Sequence, residues 1–121
     1  MKTIVDFINE ALKQTDLYSK FEKAGLVLKD TDDEDITAVS LKDSDWYIPI
    51  ERSQSYFNFY DPNNAEEEAV IDIVAINAKT KKEKKIIDAA DLPEMDIDDK
   101  GFFEYTNKNF KVLTDLLSKV K

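Results

Sequence analysis

The chain of 121 residues contains no cysteine and no histidine. Without cysteine there is no disulfide framework, no thiolate nucleophile and no sulfur-ligated metal. Without histidine the commonest general base and the commonest neutral metal ligand are gone, so Ser-His-Asp and Cys-His mechanisms are excluded. Two glycines, Gly25 and Gly101, are too few for a phosphate-cradling loop or a dinucleotide fingerprint. The single arginine, Arg52, rules out an arginine cluster clamping phosphates or carboxylates. No run of about 18 apolar residues occurs, so no membrane-spanning helix is predicted. The stretch MKTIVDFINEALKQ places Asp6, Asn9 and Glu10 where a signal peptide needs an unbroken apolar segment, which predicts a cytoplasmic protein. No cofactor is expected, and catalysis would be left with carboxylate, lysine or tyrosine chemistry.

Hydrophobic residues make up 42% of the chain and charged residues 36%, apolar enough to bury one core, so residues 1–121 are expected to form a single domain. The net charge is −9 and it is unevenly spread. Residues 31–60, 61–78 and 86–100 each carry a net −5, whereas KTKKEKK, residues 79–85, carries +4. A field of this overall sign repels nucleic acid at long range and favours basic partners.

Thr3 followed by Asp6 has the spacing of a helix N-cap and its returning carboxylate. The apolar residues Ile4, Ile8, Ala11, Leu12, Leu17, Phe21 and Ala24 form one stripe, in one helix or in two if Thr15 and Asp16 cap a second. Gly25 sits where a left-handed residue closes that segment. DTDDED, residues 30–35, reads as an exposed turn. ITAVSLK alternates and predicts a strand, as do the next alternating runs, Trp46 to Glu51 and Tyr56 to Tyr60. Pro49 lacks an N–H and therefore calls for a strand edge or a bulge. Asp61-Pro62-Asn63-Asn64 is turn chemistry, and Asn64 with Glu67 has cap spacing. The Val- and Ile-rich residues that follow favour a hairpin, with strands near 69–78 and 84–89, over a helix. Phe103, Thr106, Phe110, Leu113, Leu117 and Val120 predict a C-terminal amphipathic helix, from Asn107 and at most from Phe102. The fold class is therefore α+β: an antiparallel sheet of four or five strands packed by N- and C-terminal helices.

Six of the thirteen aromatic rings fall within residues 44–64. A hairpin turning over Arg52 to Ser55 pairs Ile50 with Phe57 and Ile48 with Phe59, which with Trp46 make a buried face. The other face then receives Tyr47 opposite Tyr60, Glu51 opposite Tyr56 and Pro49 opposite Asn58. Tyrosines offer rigid amphipathic contact area, and such rings are enriched where binding energy concentrates.

Three other patterns carry weaker chemistry. Asp96 to Phe103 resembles part of a calcium-binding EF-hand loop, with carboxylates at its first and third positions and Gly101 at its sixth. Lys100 and Asn107 stand where ligands belong, so a solvated turn with Asp99 as a helix cap is the better reading and no metal site is expected. The consecutive acids Asp32, Asp33, Glu34 and Asp35 read as a charged turn. KTKKEKK is interrupted by Glu83 and interleaves no aromatic, so it reads as a solvated hairpin tip rather than a nucleic-acid contact.

Together these features predict a non-enzymatic binding protein of inhibitor, immunity-protein or nucleic-acid-mimic type. Its partner is expected to be a basic protein, for instance a nucleic-acid-handling enzyme, with no direct nucleic-acid or membrane contact. The partner-binding residues are expected to be Asp32, Asp33, Glu34 and Asp35 with Tyr47, Glu51, Tyr56, Asn58 and Tyr60. A homo-oligomeric accessory subunit and a carboxylate- or metal-dependent enzyme are the alternatives.

Overall fold

The computed structural model describes residues 18–53, 55–63, 72–99 and 101–120. Among the described residues, helix α1 covers residues 18–23. Seven strands follow among the described residues: β1 (Leu26–Asp30), β2 (Ile36–Leu41), β3 (Trp46–Arg52), β4 (Tyr56–Phe59), β5 (Asp72–Asn77), β6 (Glu83–Asp88) and β7 (Phe103–Glu104). A 3-10 turn spans Ala89–Asp91, and helix α2 (Asn107–Ser118) follows β7. The predicted α+β class holds, with a larger sheet than the four or five strands expected. The Thr3–Asp6 cap, the stripe up to Leu17, the Asn64–Glu67 cap and the start of the 69–78 strand lie outside the described residues.

All strand pairs are antiparallel, and the sheet branches. The order β1-β2-β3-β4-β7 forms one path, while β5 pairs with β3 and carries β6. One flank of β3 is thus shared: Trp46 and Tyr47 pair with β5, and Ile50 to Arg52 pair with β4. Pro49 lies at the changeover. Its carbonyl accepts from the Tyr60 N–H at 3.1 Å, and a strand residue's N–H points to the same side as its carbonyl. The missing donor of Pro49 therefore falls where β3 exchanges one partner for the other, a third solution beside the predicted edge or bulge.

The β3–β4 register differs from the predicted one by two residues. Ile50 faces Phe59, Glu51 faces Asn58 and Arg52 faces Phe57. Ser53 sets this register: its N–H donates to the Tyr56 carbonyl at 2.7 Å, and its hydroxyl accepts from the Tyr56 N–H at 3.1 Å. A two-residue shift preserves which side each residue faces. Ile48, Ile50, Phe57 and Phe59 are consequently buried as expected, whereas Trp46 is only half-buried.

Both helices add to the core on that face. Phe21 of α1 meets Phe110 of α2 edge to face at 4.9 Å, and Phe110, Leu113, Leu116 and Leu117 join Val39, Ile48 and Ile50 in one cluster. Gly25 closes α1 at φ +83°, with its N–H on the Glu22 carbonyl, as its position predicts. The cap of α2 is Thr106, whose hydroxyl accepts from the Asn109 N–H at 3.2 Å. Asp99 caps no helix, and Phe103 belongs to β7 instead of the helical stripe. The loop before β7 turns on Asp98, whose carboxylate accepts from the Phe102 N–H.

Tyr105 closes the core beneath the β3–β4 turn. Its hydroxyl donates to the Ser53 carbonyl at 2.9 Å, and burial pushes its pKa far above the ordinary tyrosine value, with Arg52 opposing in part. The neutral form is therefore favoured by folding, so this contribution is intact below the ordinary tyrosine pKa of about 10 and is lost as pH rises above it. Tyr105→Phe keeps the ring and removes the titrating group. The variant is expected to be less stable at pH 7 by about 1 kcal/mol, yet to show a flatter stability loss between about pH 10 and 11.5, as followed by urea unfolding.

Candidate functional site

The side of the sheet away from that core is built from the alternate residues. On β2 these are Ile36, Ala38 and Ser40, and on β3 they are Tyr47, Pro49 and Glu51. Ala38 faces Pro49 directly across the ladder. Two small side chains opposite one another leave a hollow. A depression of about 400 Å³ opens there, with Ala38, Pro49 and Ile36 in its lining and the side chains of Tyr47, Tyr60 and Ile76 around them. Sites for small ligands and anchoring side chains are concave, and about 300 Å³ marks their lower end.

One rim of the depression is the end of β1 with the β1–β2 turn, which contribute Asp30 and then Asp32 and Asp33. That turn is ordered by Thr31. Its hydroxyl donates to the Ile36 carbonyl at 2.7 Å and accepts from the Asp33 N–H at 3.2 Å. The Asp33 carboxylate in turn accepts from the Asp35 N–H at 2.9 Å. Asp32, Asp33, Glu34 and Asp35 are all exposed, and no ion pair neutralises any of them among the described residues. The opposite rim is the β5–β6 tip, where Lys81 adopts a left-handed conformation at φ +63°.

The electrostatics of the depression can be read from Tyr47. Its pKa is raised, first by burial and then by the negative charges of Asp32 and Glu83. The carboxylate field thus reaches a half-buried hydroxyl in the depression wall. A cation placed there would feel the same field with the opposite sign.

The nine residues singled out from the sequence separate into two groups. Tyr47, Tyr60, Asp32 and Asp33 come together around the depression, while Glu34 and Asp35 lie on the same turn without lining it. Glu51 and Asn58 face each other farther along the sheet, and Tyr56 pairs with Glu104 near the β3–β4 turn. The expected Tyr47–Tyr60 pair is replaced, because β5 places Ile76 opposite Tyr47. Lys29 and Lys81 also line the depression and were not foreseen. Ala38 and Pro49 were visible as small residues in adjacent strands, but Ile76 reaches the site through long-range pairing that leaves no local signal.

The other patterns find structural uses. Asp96 accepts from the Thr106 hydroxyl and lies 3.6 Å from Lys108 Nζ, while Asp98 accepts from the Phe102 N–H. Among the described residues no group of three or more acidic side chains is arranged to hold a metal ion. KTKKEKK is the exposed β5–β6 tip and the start of β6, with Lys79 paired to Asp45 and Lys85 bridging Asp72 and Asp88. The hydrogen bond between Lys85 and Asp88 raises the lysine pKa and lowers that of the aspartate, but both side chains are about half exposed to solvent and the pair adds little stability. No described helix is long and apolar enough to cross a membrane. Compared with protein-family models, curated proteins and solved structures, the chain matches none, so its functional reading rests on its own geometry.

Proposed function

We propose that this chain is a single-domain, non-enzymatic binding protein that acts in the cytoplasm. Its acidic, tyrosine-lined face docks on a basic site of another protein, in the manner of an inhibitor or immunity protein blocking a nucleic-acid-handling enzyme. The observation that carries this reading is the meeting, around one depression, of Tyr47 and Tyr60 with acids of the β1–β2 turn that no ion pair neutralises among the described residues. Acids at a rim steer association and stand in for phosphates, whereas half-buried aromatic rings hold the complex once water is excluded. Glu51, Asn58 and Tyr56 extend the same face toward the β3–β4 turn and would form the outer part of the contact.

The two roles separate kinetically. Replacing Asp32, Asp33, Glu34 and Asp35 together by their amides is expected to slow association with the basic partner about tenfold at low salt and to flatten its salt dependence. Tyr60→Ala is expected to leave association nearly unchanged and to speed dissociation at least tenfold, the effect of losing an anchor of about 2 kcal/mol. Surface plasmon resonance at two salt concentrations reads both. Unchanged rates in both variants would remove this face from the interaction.

A further inference from the structure

The shape of the depression restricts what part of a basic partner it can accept. Its floor is apolar and small, because Ala38 and Pro49 oppose each other across β2 and β3. Its walls include two tyrosine rings, and its rim carries Asp32, which no salt bridge or hydrogen bond neutralises among the described residues. We infer that the depression seats one guanidinium side chain of the partner, with Tyr47 and Tyr60 against its flat surface and Asp32 as its counter-charge. This rests on the docking reading above and identifies the chemistry at its centre.

A guanidinium fits this lining better than an ammonium. It is planar, delocalised and weakly hydrated, so it stacks on aromatic rings and loses less on leaving water for a floor of Ala38, Pro49 and Ile36. An ammonium is compact and strongly hydrated, and an apolar floor replaces none of its hydration. The carboxylate of Asp32 offers two acceptor oxygens to the fork of N–H donors. An anion is disfavoured, since Asp30, Asp32 and Asp33, leaving aside Asp45 with its Lys79 partner, still outnumber Lys29 and Lys81 around the depression. The two lysines make the inference sharper: they repel the occupant, so removing one must strengthen binding while removing Asp32 must weaken it.

The test needs no identified partner. The intact protein is titrated with N-ethylguanidinium, with ethylammonium and with neutral N-ethylurea at constant ionic strength, and the Tyr47 and Tyr60 ring signals and the Ala38 methyl are followed by NMR. The expected result is a saturable shift of these three with guanidinium, weaker with ammonium and absent with the urea. Asp32→Asn lies on an exposed turn and is expected to weaken the guanidinium about fivefold, while Lys81→Met tightens it. Equal shifts with the urea, no saturable shift, or affinity indifferent to Asp32→Asn would each overturn the inference. The two readings fail separately. A basic partner that is lost on Tyr60→Ala, with no guanidinium response, keeps the docking face and discards this occupant; a guanidinium response without any such partner does the reverse.

Discussion

Phe57→Ala is expected to lower the stability of the folded chain by about 3–5 kcal/mol, the range for deleting a fully buried phenylalanine. Phe57 is completely buried and is the hub of the aromatic core. Its ring lies 5.7 Å from Phe59, 5.6 Å from Phe103 and 5.9 Å from Tyr105, centroid to centroid. The two-residue strand β7 depends on it doubly, through the Phe57–Phe103 ladder pair and through the ring contact. Truncation therefore leaves a cavity lined by three rings and loosens β7 before the rest of the sheet. A domain of this size is stable by only about 5–15 kcal/mol, so the urea midpoint should fall by a large fraction. Phe57→Leu, which refills most of the volume, should cost roughly 1.5 kcal/mol. A loss under about 1 kcal/mol for the alanine variant would show that the ring cluster is not the core of the fold.

The second large effect is expected at Asn109, the fully buried polar residue of α2. Its Oδ1 accepts from the Asp96 N–H at 2.9 Å, and its Nδ2 donates to the carbonyls of Asp96 at 2.8 Å and Glu104 at 2.7 Å. One amide thereby ties the chain before β7 and the last residue of β7 to the first turn of α2. Asn109→Ala strands these three backbone groups and should cost about 3 kcal/mol. Asn109→Asp is isosteric but acceptor-only when ionised, and it would aim an oxygen at two carbonyls. It should be the more damaging of the two at pH 7, and part of its stability should return as acid protonates the carboxyl. Thermal unfolding of both variants at pH 7 and pH 4 tests the order; equal stability at both pH values would show that the amide is not the tie.

Local alternation made β2 and β3 legible, together with the β5–β6 hairpin and α2, because each carries its own period and its own turn residues. The strand β1 was missed for a physical reason. LVLKD is rich in leucine, a good helix former, with Val27 its sole β-branched residue, and it becomes a strand by pairing with β2. β7 is two residues long, and its pairing with Tyr56 and Phe57 crosses about fifty positions of sequence, beyond the reach of any local pattern. The hairpin register slipped by two because Ser53, not Arg52, closes the turn; parity alone was enough to sort core rings from outward tyrosines. The site was legible as ingredients, the tyrosines of one face and the acids of one turn. Their meeting depended on the Ala38–Pro49 opposition and on β5 arriving beside β3.

The docking face is tested most directly by affinity capture from the native host's lysate, comparing the wild-type chain with Tyr60→Ala and with Asp115→Asn, which removes one exposed charge from α2. The expected result is a single basic protein held at low salt, released as salt rises, retained by Asp115→Asn and lost with Tyr60→Ala. The same protein captured equally by all three baits, or recovery of the bait's own chain alone at either salt, would contradict the assignment.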